Sequence, residues 1–115
     1  MTKLANFLIS DLSGDWSKPS IKFFRSNGSY GYILWLTIID TNFKKKSMGI
    51  ETIVTQLEKY ASRRTIIDFI SKGVDAGFII KINSNKDRRK FYIEPSRVTI
   101  KEYTEWSDEF IKNVT

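Results

Sequence analysis

The 115-residue chain contains no cysteine and no histidine. The first absence excludes disulfides and thiolate metal sites. The second removes the commonest general base and metal ligand, so triads of the Ser-His or Cys-His kind cannot be assembled from these residues. Thirteen Asp and Glu leave a carboxylate-only enzyme open, but no pair of them is set apart by its local context. The expectation is a protein that is not an enzyme, with no catalytic residues, no metal site and no cofactor. Long hydrophobic runs are missing too. The most apolar stretch, YILWLTII at residues 32–39, is far shorter than the roughly 20 residues that cross a bilayer. The opening MTKLANFLISDLSGDW lacks the apolar core of a signal peptide and is interrupted by Asp11. A cytoplasmic protein with no membrane partner is therefore expected.

What is present begins with positive charge. Nineteen Lys and Arg against thirteen Asp and Glu give a net charge of +6. Residues 59–101 hold eleven cations and four carboxylates, whereas the remainder holds eight and nine. The whole excess therefore lies in one segment of 43 residues. A basic segment on a near-neutral body is the footprint of a polyanion binder. A merely solubilising surface intermixes both signs.

At this length the chain fits one domain, residues 1–115. Residues 1–28 read as an irregular or partly helical N-terminal extension, broken by Gly14, Pro19 and SNGS. SYGYILWLTIIDTNF suits a helix or a buried strand. The spacing of Tyr32, Leu36, Ile39 and Phe43 favours a helix with that face inward. Lys44, Lys45 and Lys46 mark its exposed end. SMGIETIVTQLEKY follows as a helix, with Ser47 as N-cap and Ile50, Ile53, Val54 and Leu57 as one apolar stripe. A short turn leads to a second helix, SRRTIIDFISKGVDAG, capped by Ser62 and ended by Gly77 at C′. Its core face is Ile66, Ile70 and Val74, with Arg63, Arg64, Asp68, Ser71 and Lys72 on the other side.

The period then changes. FIIKI and KFYIE read as strands separated by NSNKDRR, a hairpin ended by Pro95. Thr99 and Glu102 have the spacing of a capping box opening a C-terminal helix within residues 96–115, whose polar side carries Glu105, Asp108 and Glu109. The fold class is α+β, mainly α: a winged helix-turn-helix over residues 47–95, with a two-stranded wing and flanking N- and C-terminal helices.

Four cations, Lys86, Arg88, Arg89 and Lys90, crowd the hairpin tip around Asp87. A solvated turn needs polar residues but not that much charge of one sign. A helix on a small scaffold fits the major groove of DNA, and a hairpin beside it follows the backbone or enters the minor groove, where Arg is favoured. Arg63 and Arg64 sit in a helix first turn, against the dipole, and phosphate or guanine contact supplies a reason. Ser62 and Thr65 serve equally as caps or DNA ligands. Asp68 could accept from a cytosine amino group, although an intrahelical partner such as Lys72 competes for it. The residues expected at double-stranded DNA are therefore Ser62, Arg63, Arg64, Thr65, Asp68, Lys72, Lys86, Arg88, Arg89 and Lys90.

GFIIKINSNKDRRKFYIEPS resembles the wing of MarR-type transcriptional regulators. That pattern runs from Gly-Leu-Ile or Gly-Leu-Val through a variable stretch to Asp-x-Arg, a short apolar strand, and Leu-Thr opening a helix. Gly77 precedes Asp87 by ten positions, Asp87-Arg88-Arg89 fits Asp-x-Arg, and Ser96 stands in place of the threonine. The likeness spans about residues 47–100. It implies that Arg89 inserts toward the minor groove, that Asp87 braces the wing by pairing with an arginine, and that the first and last helices form a homodimer. Gly73 occupies a place where that family has leucine, so Val74 is expected to fill the core from one residue on. A plasmid or phage replication protein, or a winged helix serving protein–protein assembly, is the alternative. No small-molecule effector is specified by these residues.

Overall fold

The computed structural model describes residues 2–14, 16–84, 86 and 89–114. Six helices and three strands are present among them: α1 Lys3–Leu12, α2 Pro19–Arg25, α3 Ser29–Phe43, β1 Met48–Gly49, α4 Ile50–Leu57, α5 Arg63–Asp75, β2 Ile79–Asn83, β3 Phe91–Pro95 and α6 Arg97–Val114. Helix α4, a short turn, helix α5 and the β2–β3 hairpin follow one another in the order of a winged helix. No helix among the described residues is long and apolar enough to cross a membrane.

The sheet has three strands, not two. Met48 and Gly49 pair antiparallel with Ile93 and Tyr92, giving the order β1-β3-β2. This displaces the expected cap of α4. Gly49 occupies the N-cap position, and Ser47 instead donates its hydroxyl to Glu94 at 3.2 Å. Two residues are too short to show a strand period, so β1 left no signature in the sequence. Strands β2 and β3 run in continuous register from Ile79 opposite Pro95 to Asn83 opposite Phe91.

The core gathers Ile21 and Phe24 from α2, Leu34, Trp35, Ile38 and Ile39 from α3, and Ile53, Val54 and Leu57 from α4. Ile66, Phe69 and Ile70 from α5 and Ile79 and Ile93 from the sheet complete it. The stripe expected on α4 is the one observed. On α3 the helix is right but only half of the expected face is: Ile39 is buried and Tyr32 packs against the core, whereas Leu36 and Phe43 are exposed and Gly31, Leu34, Trp35 and Ile38 are buried in their place. Helix α3 is apolar around most of its circumference, so spacing alone could not select a face.

Helix α5 ends in a Schellman motif. Gly77 has φ +83°, its N–H donates to Val74 O at 3.1 Å, and Phe78 N–H donates to Gly73 O at 2.9 Å. The expected C′ glycine is therefore in place, but the expectation for Val74 is corrected. Val74 is only partly buried, and Gly73 itself lies in the core. The space a leucine would use there is filled from outside the helix by Ile79 and Phe23. A Cβ on Gly73 would stand 2.5 Å from Ile79 Cδ1 and 3.2 Å from Phe23 Cε2. Gly73→Ala is expected to cost about 1–3 kcal/mol of stability despite its better helix propensity, read by urea unfolding. A stabilised variant would show that Ile79 moves aside freely.

Residues 3–25 hold two helices tied to the body by polar groups. Glu102 Oε1 accepts from both the N–H (2.8 Å) and the hydroxyl (2.6 Å) of Ser20, so a carboxylate from α6 caps the start of α2. Lys18 reaches Glu105 at 2.7 Å. Arg25 and Asp11 form an ion pair at 2.9 Å with side chains only 4% and 9% exposed. The second oxygen of Asp11 accepts from Trp106 Nε1 at 2.9 Å. The expected capping box at Thr99 and Glu102 is thus not formed. Helix α6 starts at Arg97, Ser96 contacts the Thr99 hydroxyl at 3.2 Å, and Thr99 Oγ1 donates to Phe78 O at 2.8 Å. Both residues of the apparent local motif are engaged in tertiary contacts.

Candidate nucleic-acid interface

Helix α5 begins at Ser62, whose φ/ψ of −66°/154° and bond from Thr65 N–H at 3.2 Å make it an N-cap. Its hydroxyl also contacts Thr65 Oγ1 at 2.9 Å. With Ile66, Phe69, Ile70 and Gly73 inward, α5 turns Arg64, Ile67, Asp68, Ser71 and Lys72 to solvent.

The two first-turn arginines differ in their surroundings. Arg63 Nη2 donates to both oxygens of Glu51 at 2.5 and 2.6 Å, and Nη1 lies 3.6 Å from Glu58. Carboxylates from α4 and the turn thus answer the unfavourable dipole at this position. The hydrogen bonds from Arg63 hold the Glu51 carboxyl below its ordinary range, and the same bonds raise Arg63. A lowered carboxyl pKa means the pair holds at and above the usual Glu range and is lost as pH falls through the lowered value. Arg64 has a side chain 92% exposed, with Nε 4.0 Å from Asp68 Oδ2. The intrahelical partner of Asp68 is therefore Arg64, one turn before it, and not Lys72, one turn after. Both positions are four residues away, and Arg64 reaches forward along the helix to the carboxylate.

The hairpin closes beyond β2 with Ser84 N–H donating to Lys90 O at 2.9 Å, and Lys86 N–H donating to the Ser84 hydroxyl at 3.2 Å. Lys86, Arg89 and Lys90 are exposed on this outer part of the wing. Asp87 and Arg88, expected as brace and DNA ligand, lie outside the described residues. Lys81 of β2 also belongs to this surface. Its ammonium sits 4.2 Å from the centre of the Phe91 ring, which holds it beside the wing.

Between the start of α4, helix α5 and the wing runs a groove of about 530 Å³. Glu51 and Ile67 line it from the helices, Lys81 and Tyr92 from the sheet, and Arg89 and Lys90 from the hairpin connection. The sequence had nominated Arg89 and Lys90 here but not Lys81, Glu51 or Ile67. Strand alternation carried a signal for Lys81, the one charged residue within IIKIN. Glu51 had none, because its importance comes from a partner twelve residues on.

Two solved structures resemble this chain. Both are crystal structures of the heme sensor protein PefR, one from Streptococcus agalactiae in complex with heme and one in complex with heme and carbon monoxide. They are 17% identical to the chain, which aligns over 94% of its length and over 71–72% of theirs, with TM-scores of 0.60 and 0.61. The chain shares their fold. No protein-family model matches it, and no curated protein does. At this identity the likeness concerns the fold alone, and the interface stands on its own residues.

Proposed function

We propose that the chain is a winged-helix protein that binds double-stranded DNA, a transcriptional regulator of MarR-like type. Helix α5 enters the major groove, and the wing holds backbone and minor groove. The observation that carries this reading is the convergence of cations from separate elements. Lys81, Arg89 and Lys90 of the wing line the groove beside Ile67 of α5, and Arg64 and Lys72 on α5 and Lys86 on the wing are exposed. Such an arrangement suits a phosphate backbone flanking an inserted helix. Helix α6, with Glu102 and Glu105 engaged by Ser20 and Lys18, takes no part.

A homodimer belongs to the proposal. Leu8 and Leu12 on α1 and Ile111 and Val114 on α6 are exposed, Leu12 to 72%, and supply apolar surface on the two helices at the chain's ends. The heme of the similar structures is not carried over. This chain has no histidine or cysteine, the axial ligands used most often.

Fluorescence anisotropy on a random pool of labelled duplexes, titrated at several salt concentrations, tests the reading. The expected log–log slope is about −0.9 per phosphate contact. Selection from the same pool is expected to return an inverted repeat with half-sites about one turn, roughly 34 Å, apart. Glu51→Gln removes a negative charge from the groove and releases Arg63. It is expected to bind up to about tenfold tighter with a slope steeper by about one contact. An unchanged slope would make Arg63 purely a helix-start residue. Absence of salt-dependent binding in the wild type would overturn the proposal.

A further inference from the structure

Ile67 is a large aliphatic side chain on the outward flank of α5, 39% exposed. It sits one helical turn beyond Arg63 and Arg64 and one turn before Ser71. It lines the 530 Å³ groove facing the wing and a second groove of about 310 Å³, where it joins Ile50, Ile70 and Val74. Arg63, which shares this flank of the helix, is drawn away by Glu51. The cations Lys81, Arg89 and Lys90 stand on the opposite wall. The groove therefore has a basic wall suited to phosphates and, on the inserted helix, an apolar group suited to something that is neither charged nor hydrogen bonding.

In the major groove one base carries such a group: thymine, whose C5-methyl projects from the base edge. We infer that Ile67 is a specificity-determining residue that packs against the 5-methyl group of a thymine in the recognised duplex. This rests on the DNA-binding reading above and adds to it one sequence feature, a required thymine facing α5. Arg64, Asp68 and Ser71 surround Ile67 with hydrogen-bonding groups for the neighbouring base pairs, so the apolar position has polar positions on either side to fix its register.

Deoxyuridine scanning of the duplex selected from the random pool tests this. Replacing thymidine by deoxyuridine removes the methyl group and leaves every hydrogen-bonding group in place. With the wild-type protein one thymine position per half-site is expected to lose about three- to tenfold in affinity, the scale of one buried methyl group. Ile67→Ala is expected to bind the unmodified duplex more weakly by a similar factor and to be indifferent to deoxyuridine at that position. Ile67→Val keeps part of the discrimination. A merely structural role for Ile67 would lower affinity without this position-specific coupling. Wild-type binding that is salt-dependent but indifferent to every methyl group overturns the inference and leaves the DNA-binding reading standing. Equal deoxyuridine losses in wild type and Ile67→Ala also overturn it. No binding to any duplex overturns both.

Discussion

Alanine at Lys86, Arg89 and Lys90 together is expected to lower duplex affinity by about two to three orders of magnitude near 0.1 M salt and to flatten the log–log salt slope by about 2.7. Each phosphate contact releases condensed counterions and adds roughly 0.9 to the slope, so the slope counts contacts whatever the sequence bound. All three side chains are exposed on the outer part of the wing, away from the core residues Ile79 and Ile93. Thermal unfolding should therefore change little, which separates loss of contact from loss of fold. The weakening should be nearly uniform across duplexes, whereas Arg64→Ala should alter which sequences are preferred. An unchanged slope in the triple variant would remove the wing from the interface and return the basic tip to the role of a solvated turn.

The second large effect lies at the other end of the molecule. Arg25→Met is expected to reduce stability by about 3–5 kcal/mol, because it leaves the Asp11 carboxylate buried with its countercharge gone. On the order of 10–20 °C in Tm follows for a domain of this size. Arg25 is held by three groups: Asp11 Oδ2 lies 2.9 Å from its Nη1, and the Tyr32 and Trp16 ring centres lie 4.0 and 5.3 Å from its guanidinium carbon. Its loss removes a link from α1 to α2 and α3, and leaves Asp11, among the described residues, the indole N–H of Trp106. The double variant Arg25→Met/Asp11→Leu is expected to recover much of the loss, since two apolar side chains can replace a buried pair without stranding a charge. If Arg25→Met alone is neutral, the pair is solvated and does not anchor α1.

These two surfaces differ in how well they could be read beforehand. The wing follows from local features: two β-rich runs, polar residues between them, and a charge excess confined to residues 59–101. The Arg25 site has no local signature. Asp11, Arg25 and Tyr32 sit on three successive helices with Trp16 between the first two, and Trp106 lies 95 positions beyond Asp11. In a linear reading Asp11 was simply the residue that interrupted an apolar stretch.

The same division runs through the candidate interface. Ser62 was legible as an N-cap because the cap, the apolar period and the terminal Gly77 all lie within one helix. Arg63 was not legible in the same way. Its position against the helix dipole suggested an external anion, and the structure shows that the carboxylate of Glu51 is also an anion at this position. Thr99 and Glu102 misled for a related reason, their spacing matching a local motif while Phe78 and Ser20 compete for their side chains.

By itself, the sequence determined the helical and strand periods of α4, α5, β2 and β3, the caps at Ser62 and Gly77, and the basic character of the segment that carries them. Each of these depends on residues within a few positions of one another, where backbone geometry fixes the neighbours. Tertiary structure alone decided the buried face of α3, the third strand at Met48, the filling of the space over Gly73, and which of two adjacent arginines projects to solvent. In each case several local solutions are nearly equal in energy, and packing or a charge from a distant element selects one.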